Sequence, residues 1–225
     1  MLSYYRKWRR DNSELLHSDP HDVESKLRKL KQIIQTVQPG YTSSEILGSS
    51  FFHRNYSRIP SLDRRDLGVS CDEVFNHLYV GDEASARNKN YLRLVGITHI
   101  INTAEGINFA QINTGAHYYR DLNIKYMGLN LMDIESARIS IHFSETADFI
   151  EQAINGGGRV LVHCYMGMSR SATIALAYLM IKKGMTAEEA LKSVRRNRGV
   201  RPNDGFLRQL IDLELRLRTS GSLLR

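Results

Sequence analysis

From about residue 70 onward, short apolar runs alternate with stretches whose apolar positions recur every three or four residues. "HLYVGD" (77–82), "ITHIINT" (97–103), "IKYMGLNLMD" (124–133) and "RVLVHC" (159–164) read as strands. Between and after them, helical spacing runs through "EASARNKNYLRLVG" (83–96) and "ISIHFSETADFIEQAINGGG" (139–158). It returns in the stretch starting near Arg170, in "TAEEALKSVRRNR" (186–198) and in "NDGFLRQLIDLELRLR" (203–218). Gly96 and Gly156–Gly158 act as stop signals, and Thr186 is placed to cap its helix. Strands that alternate with helices, with inner strands apolar on both faces, predict an α/β domain. Its core is a central, mostly parallel twisted sheet flanked by helices. The domain is expected over residues 70–220, after an N-terminal extension of residues 1–69.

The extension is expected to be partly disordered, with one amphipathic helix near residues 22–37. There Val23, Leu27, Leu30, Ile33, Ile34 and Val37 form an apolar stripe, and Pro39-Gly40 ends it. Lys26, Arg28, Lys29 and Lys31 lie beside the stripe. Packing on the domain is the favoured reading, over a protein partner or an anionic membrane surface. Residues 1–20 are polar and aperiodic, and 38–70 read as a loop rich in Ser, Gly and Arg. No run of about 18 apolar residues is present, so no transmembrane helix is expected. "MLSYYRKWRR" lacks the apolar segment of a secretory signal. Acidic residues soon after it argue against a mitochondrial presequence, and "RKWRR" is a short basic cluster of a kind found in nuclear import signals.

The net charge of +7 is weighted towards the N-terminal third, where residues 1–70 carry 12 Lys+Arg against 8 Asp+Glu. A positive surface favours anionic partners without choosing among them. No nucleic-acid motif accompanies it, so no nucleic-acid partner is expected. Two cysteines, Cys71 and Cys164, support neither a disulfide framework nor a four-cysteine zinc site. That usage fits the cytosol or nucleus, and no spacing implies a metal or a cofactor. Cys71 reads as structural; a redox partnership with Cys164 would require the two to be close in space.

Cys164 is the exception. It ends the strand "RVLVH" and precedes "YMGMSR", a glycine-containing turn that leads into a helix. In open α/β sheets ligands bind at the carboxyl ends of strands. A helix start there offers unpaired N–H groups and the positive end of a dipole. Tyr165, Met166, Gly167, Met168 and Ser169 can therefore curl their amides around one anion, with Gly167 relieving the turn. The same field favours the thiolate, which is the nucleophilic form of cysteine. Arg170 adds a planar, permanently charged fork for two phosphoryl oxygens. Phosphoryl transfer to sulfur also needs a proton donor for the leaving oxygen. Asp133, the first acid after "KYMGLNLM" and 31 residues before Cys164, is the candidate, with Glu135 as competitor. Ser171 is placed to hydrogen-bond the sulfur.

"HCYMGMSRSA" fits the pattern HCx5R followed by Ser, and so resembles the signature of cysteine-based protein tyrosine phosphatases. The likeness extends over residues 70–218 through "LYVGDEASARNKNYLRLVGITHIINTAEG", "YYRDLNIKYMGL", "SRSATIALAYLM" and "VRRNRGVRPNDGFLRQL". Over that span the chain resembles the small atypical dual-specificity phosphatases, nearest to the VHR-like group. The resemblance implies the protein tyrosine phosphatase-like fold and hydrolysis of phosphotyrosine and phosphoserine/phosphothreonine through a phosphocysteine, with no cofactor. It implies phosphorylated proteins as partners, with MAP-kinase-like doubly phosphorylated targets among them. By position Cys164 resembles the nucleophile, Arg170 the phosphate-binding arginine, Asp133 the general acid and base, and Ser171 the loop hydroxyl. Arg198 aligns with an arginine of a second phosphate site, and Asn203 with the residue that braces the active-site loops. His163 is expected to turn its ring away from substrate into structural hydrogen bonds.

The five loop residues of this chain lack the charges that some relatives carry there, and their apolar rim favours apolar contacts beside the phosphate. Two other functions fit parts of the pattern. One is a phosphopeptide-binding scaffold with weak catalysis; the other is a phosphatase for RNA 5′ ends or phosphoinositides. No feature of the sequence indicates an oligomeric state.

Overall fold

The computed structural model describes residues 20–40 and 68–219. Expectations for residues 1–19 and 41–67, the short basic cluster and most of the Ser/Gly/Arg-rich loop among them, lie outside the described residues.

Helix α1 spans Pro20–Thr36. It is followed by strands β1 (Cys71–Phe75) and β2 (Leu78–Gly81), then helices α2 (Glu83–Arg87) and α3 (Lys89–Val95), and strand β3 (His99–Asn102). A 3₁₀ segment (Ala116–Leu122) leads to β4 (Lys125–Gly128), and a second (Ile139–His142) leads to α4 (Phe143–Asn155). Strand β5 (Val160–His163) is followed by α5 (Arg170–Lys183), α6 (Ala187–Arg195) and α7 (Asp204–Thr219). Among the described residues no helix is long and apolar enough to cross a membrane.

The sheet has the order β1-β2-β5-β3-β4. Only the β1–β2 hairpin is antiparallel; β5 runs parallel to β2 and β3, and β3 parallel to β4. The registers align the last residues of the four parallel strands, because Gly81 and Asn102 both pair with His163, and Asn102 pairs with Gly128. Cys164 is thus the first residue beyond a level line at the sheet's carboxyl edge.

The helices follow local chemistry. Asn88 ends α2, its N–H donating to Ala84 O, and starts α3, its side chain accepting from Tyr91 N; the single helix expected over 83–96 is therefore two. Strand β1 has no such local signature. Its burial alternates only weakly, and pairing with β2 defines it. Residues 170–180 of α5 are all buried, which explains a helix apolar on every side at the centre of the molecule. Thr186 and Glu189 make a reciprocal capping box on α6.

Helix α1 packs on the domain. Val23, Leu27, Leu30 and Ile33 are buried in the same apolar cluster as Val162, Ile174, Val194 and Leu210. Lys26 reaches the buried Glu214 at 2.9 Å, Arg208 reaches Glu24 at 3.1 Å and Lys31 reaches Asp204 at 2.5 Å. Beyond the helix, Val37 O accepts from Arg195 Nε at 2.9 Å, and Gly40 N donates to Arg196 O at 3.0 Å. The folded unit therefore begins inside the segment expected to be an extension.

Candidate active site

Cys164 is buried at the turn between β5 and α5, packed with Ala104 and Ile112. Its sulfur accepts from Gly167 N at 3.2 Å and from Ser171 Oγ at 3.3 Å. A backbone amide and a hydroxyl aimed at one sulfur stabilise negative charge on it. The loop can curl this tightly because Gly167 takes φ +67° and because a Cβ there would stand 2.5 Å from Arg198 Nη2 and 2.6 Å from the Gly81 backbone.

Arg170 begins α5 and is almost fully enclosed, with 3% of its side chain exposed. Two carbonyls fix its fork: Nη1 donates to Leu131 O at 3.0 Å, and Nη2 to Ala110 O at 3.1 Å. The buried Nε has no hydrogen-bond partner and lies 3.7 Å from Asp133 Oδ2. A buried guanidinium donor left open is costly unless something completes it. An oxyanion held in the adjoining loop would do so.

Asp133 is held over the loop from two sides. Its Oδ1 accepts from Ser169 Oγ at 2.8 Å and from Asn203 Nδ2 at 2.8 Å. The same Ser169 hydroxyl accepts from Asn203 N at 3.2 Å, and Asn203 Oδ1 accepts from Phe206 N at 3.0 Å, capping α7. Asn203 thus serves as both cap and brace. Glu135 is exposed. Its contribution is backbone: a Cβ on Gly205 would collide with the Glu135 carbonyl, so glycine lets the acid loop lie against the start of α7. Asp133, not Glu135, faces the arginine and the loop.

Two sequence expectations are corrected. Arg198 does not present a second phosphate site. It is 5% exposed, and its Nε and Nη2 donate to Gly167 O (2.7 Å) and Met166 O (3.1 Å), while Nη1 pairs with Asp72 at 2.8 Å. It clamps the outer side of the cysteine loop. His163 likewise does not make the expected ring hydrogen bonds. It is fully enclosed and neither ring nitrogen meets the geometry of a hydrogen bond, although the Cys164 backbone lies close enough to oppose the fall in its pKa. Burial, aided by the positive charge of Arg87, pushes its pKa down to about 3, so the ring is neutral. Its carbonyl does the positioning, accepting from Thr103 N at 2.9 Å and Thr103 Oγ1 at 2.8 Å.

The sequence reading missed Asp72 and Arg195. Arg195 is 4% exposed and donates to Val37 O and Val200 O. No local pattern separates it from exposed Arg196 and Arg201 in the same basic run. Cys71 and Cys164 are both buried and are not joined by a disulfide, and they lie in different apolar clusters.

Comparison with known proteins agrees with this arrangement. The family described as "Dual specificity phosphatase, catalytic domain" matches residues 78–216. The chain is 45% identical over 149 residues to dual specificity protein phosphatase 26 of Homo sapiens, covering 66% of this chain and 69% of that protein, and equally so to the Pongo abelii protein. Among solved structures, a mouse putative dual specificity phosphatase complexed with zinc tungstate superposes with a TM-score of 0.60 at 27% identity, covering 69% of this chain and 92% of that one. Human DUSP28 does so with 0.57 at 26%, covering 66% and 95%. Fold, loop and relatives converge: the chain belongs to the atypical dual-specificity phosphatases, of the cysteine-based protein tyrosine phosphatase superfamily.

Proposed function

We propose that this chain hydrolyses phosphotyrosine and phosphoserine/phosphothreonine in proteins through a phosphocysteine formed on Cys164. The carrying observation is the convergence of Gly167 N–H and Ser171 O–H on the sulfur, beside an arginine whose buried Nε is open. The Cys164 sulfur attacks phosphorus, forming the S–P bond while the P–O bond to the side chain breaks. Arg170 and the loop amides hold the equatorial oxygens as charge develops. Asp133, as the acid, gives its proton to the leaving oxygen. Ionised by that step, it takes a proton from water, whose oxygen attacks phosphorus and releases inorganic phosphate. The hydrogen bond from Ser171 stabilises the departing thiolate.

The MAP-kinase-like targets implied by the resemblance would dock on Arg198, but each of its three nitrogens already donates a hydrogen bond, to Gly167, Asp72 and Met166, and the side chain is almost fully enclosed. The substrate class proposed is therefore phosphoproteins, in the reducing cytosol or nucleus that a free nucleophilic thiol suits.

The test compares leaving groups. Cys164→Ser should abolish turnover of every substrate. Asp133→Asn should cost about 10²–10⁴-fold on phosphoserine, whose alkoxide needs the proton. It should cost far less on 4-nitrophenyl phosphate. Equal losses on both would exclude Asp133 as the acid, and turnover surviving Cys164→Ser would exclude the phosphocysteine.

A further inference from the structure

Eight large apolar side chains are exposed among the described residues, and six of them lie on the three loops that enclose the cysteine: Ile107, Phe109, Met132, Ile134, Tyr165 and Met166. Phe109 is 90% exposed and Ile107 84%. Their segment is anchored at the site, because Ala110 O accepts from Arg170 and Gln111 Nε2 donates to Asn130 Oδ1 at 2.7 Å. Met132 and Ile134 flank Asp133, whose carboxylate is bonded to Ser169. Tyr165 and Met166 belong to the loop itself, and the Met166 carbonyl is clamped by Arg198. A soluble domain that gathers its exposed apolar groups in one place marks a contact surface.

The position of this surface limits what covers it. It is continuous with the phosphate cradle, so a chain whose phosphate enters the cradle must lay its neighbouring residues across these loops. The charges set the rest. Arg198, the cation expected to receive a second phosphate, is consumed inside the loop. Glu135, exposed beside Ile134, adds a negative charge to the rim. We infer that the rim selects segments carrying a single phosphoresidue flanked by large apolar or aromatic side chains, in preference to acidic or doubly phosphorylated T-x-Y segments. This inference rests on the phosphatase reading above.

The experiment measures kcat/KM on three matched phosphotyrosine peptides: one flanked by Leu and Phe, one by Asp and Glu, and one doubly phosphorylated in a T-x-Y arrangement. Burying a large apolar side chain against the rim is worth about 1.5 kcal/mol or more, so a preference of about 10-fold for the apolar-flanked peptide is expected. In the double variant Ile107→Ser/Phe109→Ser the ratio should fall towards one. Asp133→Asn should leave that ratio in place while slowing all three peptides, which separates flank selection from chemistry.

Equal rates on the three peptides overturn the inference. So does a preference for the T-x-Y peptide, which would assign flank recognition to Arg201, the exposed cation whose N–H donates to Met168 O at 2.8 Å. Binding to phosphatidylcholine/phosphatidylserine vesicles that is lost in the double variant, with a flat peptide panel, would make the rim a lipid contact instead. Absence of turnover on 4-nitrophenyl phosphate by the unaltered protein would sink the phosphatase reading itself, and is distinguishable from all of these.

Discussion

Several charged residues of this domain act from inside. Arg198 is the clearest: the Arg198–Asp72 pair has side chains 6% and 16% exposed, and the arginine also satisfies two loop carbonyls. Removing the arginine takes this partner from the part-buried Asp72 and leaves two loop carbonyls without their donor, at a cost of about 1–3 kcal/mol. Arg198→Met should therefore lower stability by about that amount in urea denaturation and reduce turnover of every substrate alike. A docking arginine would behave differently, leaving stability untouched and weakening only doubly phosphorylated substrates. Asp212 offers a second case. Burial, against the opposing pull of Arg216 and Arg208, pushes its carboxyl up to about 7. The folded protein holds that proton and the unfolded chain gives it up near 4, so folding is penalised increasingly as pH rises from about 4 to about 7, and fully above. Asp212→Asn should match the parent at pH 4 and exceed it in melting temperature at pH 8. A constant difference across that range would refute the assignment. The placement of Cys164, Arg170 and Ser171 around one turn was legible in the sequence because HCx5R fixes type, spacing and strand-end position together. The roles of Arg198 and Arg195 were not, since "RRNRGVR" reads as a solvated run until the tertiary partners Asp72, Val37 and Val200 are known.

Elements were read well where one local signal decides them, and poorly where partners do. The apolar runs of β3 and β5, the stripe of α1 and the capping box of α6 stand in the sequence much as they stand in the fold. The strand expected over 124–133 shrinks to Lys125–Gly128, because beyond Gly128 the chain leaves the ladder to build the acid loop. Its place is set by residues 70 positions later. Gly205 in the first turn of α7 admits the Glu135 backbone, and Asn203 just before it holds the Asp133 carboxylate. Gly205→Ala would be harmless or helpful in an exposed helix, since alanine is the better helix former. Here the added methyl meets the acid loop, so the loop must lift. The expected result is the Asp133→Asn pattern in milder form: a kcat loss on phosphoserine peptides that largely spares 4-nitrophenyl phosphate. An unchanged leaving-group profile would show that the acid loop does not depend on this contact.

At the scale of the molecule, α1 and the catalytic loops belong to one body. The apolar face of α1 lies in the same cluster as α5, whose first residue is Arg170. Among its polar attachments, Lys31 ends on Asp204, next to Asn203, and just past the helix Val37 O accepts from Arg195, three residues before Arg198. Asn203 and Arg198 are the two braces of the active site. If the segment were a loosely tethered extension, it would detach first, and catalysis would persist without it. Shared burial and shared anchors argue for a single cooperative unit, of the kind that unfolds in one transition. In a urea titration, helical circular dichroism and phosphatase activity should therefore fall together, with one midpoint and one slope. Adding inorganic phosphate, which binds only the formed loop, should move both curves upward equally, by about 2.7 kcal/mol at one hundred times its dissociation constant. An early loss of helical signal with activity retained would show α1 to be separable. An early loss of activity with helix retained would place the weak point in the loops, and would mean that the braces at Arg198 and Asn203 do not share the stability of the core.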